Sequence, residues 1–211
     1  MHQVSAATVQ IPEQKITLTG YQIRLRELDS QDYPFMQKLL SDTLTMKHLM
    51  FMSHHEKGGW TMEDVIAKHS QQDQKKKSGN IQFIIEDQKT GESMGTCGFT
   101  SIRKDHFSGE FFVIIHHPYW GMGISMACHR LCLAYAFENL HLNRMGMTTL
   151  SANSGMRGFL QKLGVQEEGT IRGAFLQSGK FEDASTYSIL KEEWPSVRAK
   201  LDQLMVHKRP H

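Results

Sequence analysis

The stretch Gly109–Ser125, GEFFVIIHHPYWGMGIS, decides the fold. Phe111–Ile115 is apolar at every position, the pattern of a β-strand covered on both faces. Gly121 and Gly123 then stand where a helix begins, because apolar residues follow at Ile124, Ala127, Cys128, Leu131 and Tyr135, spaced for one helical face. Glycine costs a helix stability, so two at this point need a reason. A helix N-terminus carries unpaired N–H groups and a partial positive charge. Without Cβ atoms in the way, an anion such as a phosphate can reach them. The same glycines also fit a plain tight turn between strand and helix. Neither the Walker pattern nor the full G-x-G-x-x-G is present, since Met126 stands at the third glycine position.

Upstream, Tyr21–Leu28 (YQIRLREL) alternates, with Ile23 and Leu25 on one face, and reads as a strand. Asp29 is a plausible N-cap for a helix with Pro34 in its first turn. A second helix is expected over Thr43–Met52, and a third opens at Thr61, where Asp64 completes a capping box. IQFIIED and MGTCGFTSIR flank Gln88–Gly91 as a hairpin. Downstream, RMGMTTL is a strand, and Met156, Phe159, Leu160 and Leu163 form a helical face stopped by Gly164. GTIRGAFLQ and KFEDASTYSIL meet at Ser178-Gly179, and Pro195 opens a closing helix. The order implies a mixed α/β sheet protein. Residues 1–20 lack periodicity and read as a loosely held lead-in to one domain over 21–211.

Composition narrows the class. The chain has 211 residues, 39% hydrophobic and 22% charged, with a net charge of +2, as expected of one ordinary globular domain. The one tight basic cluster, Lys75-Lys76-Lys77, has no interleaved aromatic residue, so no nucleic-acid partner is expected. No stretch approaches the roughly 18 apolar residues of a membrane span, and no signal peptide is read at the start. Three cysteines, Cys97, Cys128 and Cys132, make no disulfide framework or zinc motif. A reducing cytoplasm and no metal are expected.

The central stretch resembles the acetyl-CoA-binding motif of the GNAT superfamily of N-acetyltransferases, and most nearly the branch that acetylates ribosomal-protein N-termini. Glu110 stands eleven residues before Gly121, and Tyr119-Trp120-Gly121-Met122-Gly123 follows the family pattern. Asn153 precedes Gly164 of a Lys-Leu-Gly by eleven positions, and the tail from Gly169 matches through Asp183, Tyr187, Glu193 and Trp194. The resemblance spans about Tyr21 to Trp194. It implies a splayed sheet of six or seven strands with about four helices and a C-terminal helix. It further implies that acetyl-CoA, as co-substrate, pairs with the backbone of Val113, Ile114 and Ile115. Its pyrophosphate would sit on the N–H groups of Gly121, Met122, Gly123, Ile124 and Ser125, with Asn153 holding the coenzyme or ordering the site.

Acetyl transfer to an amine needs a base, because a lysine-type amine (pKa near 10.4) is mostly protonated at neutral pH. Glu110 is the first choice by resemblance, and His116 the next. His116 and His117 are neighbours, and adjacent strand residues point to opposite faces, so one at most is expected to face a cleft. His54-His55 and Asp105-His106 are read as surface residues. Several positions depart from the family: Met156 replaces a serine, Leu160 a thiolate-protonating tyrosine, Ala127 a glutamate, Phe112-Val113 a Gly-Tyr pair, and Pro118 a Gln or Arg. The expected activity is N-acetylation of a primary amine, of a small molecule or a protein N-terminus, by direct attack in a ternary complex. The alternative is a non-catalytic acyl-CoA-binding or sensing module. A monomer or homodimer is expected.

Overall fold

The computed structural model describes residues 8–47, 59–70, 72–177 and 179–206. Eight strands form one sheet: β1 (Thr17–Gly20), β2 (Ile23–Glu27), β3 (Ile81–Asp87), β4 (Ser93–Arg103), β5 (Ser108–Ile115), β6 (Arg144–Leu150), β7 (Gln166–Gln177) and β8 (Lys180–Leu190). Their order is β1-β2-β3-β4-β5-β6-β8-β7. The β5–β6 pair is parallel and the other neighbours are antiparallel. Seven α-helices accompany the sheet among the described residues: α1 (Tyr33–Ser41), α2 (Thr43–Met46), α3 (Met62–His69), α4 (Gln72–Lys77), α5 (Ile124–Ala134), α6 (Ser154–Leu163) and α7 (Trp194–Val206).

The two faces of the sheet carry separate apolar clusters. Phe83, Ile85, Phe99 and Phe111 pack with α5, α6 and α7 through Cys128, Cys132, Leu133, Leu160 and Leu201. Ile84 faces the other way, onto Met36, Leu39, Leu40 and Val65 of α1 and α3. The alternation of Phe83, Ile84 and Ile85 follows from the two-residue period of a strand. A fully buried Leu or Phe side chain contributes about 1.5–3 kcal/mol, and α5 is seated by Leu133 with the smaller Cys128 and Cys132, all at 0% exposure.

The count of strands exceeds the expected six or seven because of β1. It lies in the stretch read as a loose lead-in, and that reading is corrected for its described part. Thr17–Gly20 pairs with β2, and Val9 and Ile16 are buried in the α5-side core. The strand is four residues long, and its turn is Tyr21-Gln22, both with positive φ (55° and 66°). Hairpin turns of this kind usually carry Asn-Gly, so the usual signal is missing. The helix expected over Thr43–Met52 is α2 as far as Met46; most of its remainder, and His54-His55, lie outside the described residues. The capping boxes at Asp29–Asp32 and Thr61–Asp64 both form. Asp105-His106 forms a short 3₁₀ turn with neither residue buried.

One expectation about the central strand fails instructively. Phe111 is buried, but Phe112 to Ile115 are only partly covered. The reason is the way β5 meets β6, which pair only at Ser108↔Arg144, Gly109↔Met145 and Glu110↔Gly146. On its other edge β5 stays paired with β4 as far as Gly95↔Ile115. The sheet therefore splays open past Glu110.

Candidate active site

The splay leads into a cleft of about 440 Å³ between the free edge of β5, the start of α5 and the start of α6. A cleft of this size suits a small-molecule ligand. Val113, Ile114, Ile115, Gly121, Gly123, Ile124, Ser125 and Asn153 line it, together with Thr45, Tyr119, Met156 and Phe159. Met122 stands outside it, 65% exposed. A larger hollow of about 720 Å³ lies elsewhere, between residues 8–13 and Lys104-Asp105. It contains none of the predicted residues.

The helix start is built for close approach. Gly121 (φ +80°) and Gly123 (φ +82°) both hold the left-handed conformation that glycine adopts without penalty. A Cβ on Gly121 would meet nothing within 4 Å, so the surface there is open. Gly123 is the N-cap of α5 and offers no side chain to the first N–H groups. The Ser125 hydroxyl is buried without a hydrogen-bond partner. An unpaired buried hydroxyl is costly, and Ser125 belongs to the lining of the cleft. His129, one turn along, lies edge-on between Phe111 and Phe159. Burial pushes its pKa down to about 4. The neutral ring's Nδ1–H donates to the Ser125 carbonyl at 2.7 Å.

Asn153 caps α6, its side-chain oxygen accepting from the Met156 N–H at 3.1 Å. Trp120 closes the end of the free β5 edge, its indole N–H donating to the Ile115 carbonyl at 2.8 Å. The Tyr119 hydroxyl donates to Glu92 at 2.5 Å. Burial and that carboxylate push its pKa up to about 12. Leu160 is 1% exposed in the core, away from the role of the family tyrosine.

Glu110 sits at the point where the strands part. It is the last β5 residue paired to β6, and its partner Gly146 makes room for it: a Cβ there would lie 2.3 Å from Glu110 Oε1. Burial raises the Glu110 pKa above the usual carboxylate range, while Arg144 and Arg103 pull it back. The group does not line the cleft; it lies on the face of β5 shared with Ile114, which packs towards α1.

His116 and His117 depart from the opposite-face expectation. The strand ends at Ile115 and a 3₁₀ turn begins at His117, so strand alternation no longer applies. Both rings turn to Asp42: His117 Nδ1 is 2.6 Å from Oδ2 and His116 Nε2 is 3.6 Å from it. His116 is 5% exposed, against Phe35 and Tyr119, and outside the cleft lining. Burial lowers its pKa, against the pull of Asp42. Asp42 also caps α2 through the Thr45 N–H, and the Thr45 hydroxyl accepts from the His117 N–H at 2.8 Å. Thr45 and Asp42 were not singled out in the sequence because they are over 70 residues from the glycine turn, with no local pattern to join them.

The family model for the GNAT acetyltransferase domain matches residues 22–166. The chain belongs to the GNAT acetyltransferase family, and its enzyme class is the N-acetyltransferases. It is 32% identical over 111 residues to the uncharacterized N-acetyltransferase YoaA of Bacillus subtilis, covering 53% of this chain and 63% of that one. It is 37% identical over 101 residues to YdaF of the same organism, whose name places it provisionally among ribosomal N-acetyltransferases; 46% of this chain and 55% of YdaF are covered. Among solved structures, spermidine N-acetyltransferase from Vibrio cholerae in complex with CoA and spermine superposes with a TM-score of 0.71 at 21% identity. That match covers 83% of this chain and 99% of the other, and shows the shared fold. Among the described residues, no helix is long and apolar enough to cross a membrane.

Proposed function

We propose that the chain is an acetyl-CoA-dependent N-acetyltransferase that acetylates a primary amine by direct attack in a ternary complex, acting in the cytoplasm. The observation that carries this is the open β5 edge running into a glycine-capped helix start with an unsatisfied Ser125 hydroxyl. Bound acetyl-CoA supplies an activated thioester. The peptide groups of Val113–Ile115 hold the pantetheine arm as a neighbouring strand would. The N–H groups of Gly121 to Ser125, with the Ser125 hydroxyl, bind the pyrophosphate, and Asn153 keeps the opposite wall in place through its cap. Met122, exposed, contributes only its backbone.

In the transfer, the amine nitrogen attacks the thioester carbonyl carbon, the C–N bond forms and the C–S bond breaks. Glu110 takes the amine proton through water, and burial, which raises its pKa, makes it a stronger proton acceptor than a solvated carboxylate. A peptide N–H on the free β5 edge stabilises the developing oxyanion. The thiol, with a pKa near 8.5, leaves tolerably without a dedicated acid. The V. cholerae spermidine N-acetyltransferases support a small-molecule amine as acceptor, and YdaF, named with the ribosomal N-acetyltransferases, supports a ribosomal one.

Titration calorimetry with acetyl-CoA, followed by thiol release across a panel of amines and N-terminal peptides, tests the reading. Binding with turnover on one acceptor class supports it. Binding without turnover on any amine makes the chain an acyl-CoA-sensing module, and no binding rejects the coenzyme assignment.

A further inference from the structure

We propose that Asp42, His116 and His117 form a binding site for a divalent transition metal of the zinc type, at the edge of the coenzyme cleft. Each residue offers one donor atom, and the three donors lie within 4.8 Å of one another. They come from two separate elements, Asp42 from the start of α2 and the histidines from the turn after β5. Spacing along the chain gives no hint of this, which is why no metal was expected from the sequence.

The arrangement is held in place before any ion arrives. Asp42 Oδ1 is engaged by the Thr45 N–H at 2.6 Å, which leaves Oδ2 aimed at the two rings. The His116 N–H donates to the Met94 carbonyl and the His117 N–H to the Thr45 hydroxyl, fixing both backbones. Capping α2 needs only one carboxylate oxygen. The other receives His117 Nδ1 at 2.6 Å and faces His116 Nε2 at 3.6 Å, beyond hydrogen-bond length. Three donors around a zinc ion stand roughly 3–3.5 Å apart. The His116 contact already has about that length, the His117 contact needs to open by less than about 1 Å, and the two ring nitrogens, within 4.8 Å of each other, need to close by up to about 1.5 Å. His117 and Asp42 keep side-chain exposures of 36% and 16%, so an ion can enter and a water can complete the coordination.

The donor set selects the ion. Two imidazoles and one carboxylate favour zinc, cobalt, nickel or copper, whereas magnesium and calcium seek oxygen ligands. Occupancy ties α2 to the turn before α5, both of which border the cleft through Thr45 and Tyr119. An ion that binds the folded chain alone stabilises it.

The test is titration of the full chain with zinc chloride by calorimetry, with cobalt(II) absorption as a spectroscopic reporter. One zinc per chain is expected. Asp42→Asn, His116→Gln and His117→Gln should each weaken it by about tenfold or more and remove the cobalt bands. Asparagine caps a helix as well as aspartate does, so α2 stays capped in the first variant, and circular dichroism verifies the fold of all three. No binding by the wild-type chain at micromolar free zinc overturns the proposal. So does binding that survives these three changes, or that moves instead with Cys97, Cys128 and Cys132. Acetyl-CoA affinity, measured separately, reports on the coenzyme reading and not on this one.

Discussion

The two edges of β5 are treated very differently. Towards β4 the strand is paired from Ser108 to Ile115; towards β6 pairing stops at Glu110. Past Glu110 the second edge of β5 borders the cleft and not a neighbouring strand, so its peptide groups, apart from the Ile115 carbonyl bonded to Trp120, are left to whatever fills the cleft. The closed edge also explains why the strand keeps its shape while its neighbour diverges. Glu110 stands at the boundary between the two regimes, and the glycine turn at the far end of the open stretch.

The largest effect in this comparison belongs to the boundary residue. Glu110→Gln keeps the shape and removes the proton acceptor, so turnover should fall by about 10²-fold or more while acetyl-CoA affinity is unchanged. The deficit should shrink with amines of low pKa, which are less protonated at neutral pH. Steady-state kinetics beside calorimetry reads both quantities. Near-normal turnover of the variant on the true acceptor rules Glu110 out and makes His116 the next residue to test.

Damage at the far end of the open edge should be smaller and of another kind. Gly123→Val places a branched side chain at φ +82° and at the mouth of the cleft. The left-handed backbone costs roughly 1–2 kcal/mol, and coenzyme affinity should drop by about tenfold or more as the N–H donors shift. Unchanged affinity in a folded variant would remove the phosphate cradle. Asn153→Ala, on the opposite wall, loses a cap worth about 1 kcal/mol, and the KM for acetyl-CoA should rise. A fall in melting temperature alone, with KM intact, would leave Asn153 a cap and nothing more.

The same contrast explains what could be read from the sequence. The open edge and the glycine turn lie in one continuous stretch, Gly109–Ser125, so strand pattern, turn and helix face all report on it. The cap at Asn153 carries a recognised local signal. The strand's partial exposure was hidden, because an apolar run looks the same whether a neighbouring strand or a cleft lies beside it. Strand β1 was hidden by its length and by Tyr21-Gln22 in place of a standard hairpin pair. Convergence of His116 and His117 on Asp42 depends on where β5 stops, and on a helix 75 residues away from His117. Neither is a property of nearby residues.

The smallest expected effect sharpens the reading of the boundary. Burial disfavours the ionised form of Glu110, so its pKa in the folded chain lies above that of the unfolded chain. The folded state therefore holds this proton more tightly. The stability this confers is fully present below the unfolded pKa and is lost as the pH rises through the folded one. At neutral pH the wild-type chain carries the cost of a partly buried carboxylate, reduced by Arg144, Arg103 and solvent screening. Glu110→Gln, which cannot ionise, should thus melt higher than wild type at pH 7–8, with the difference shrinking as the pH falls and the wild-type carboxylate takes up its proton. Melting curves across that range check it. A variant less stable than wild type at pH 8 would mean that the carboxylate is held by favourable contacts, and that the gap at Gly146 serves structure and not the placement of a base.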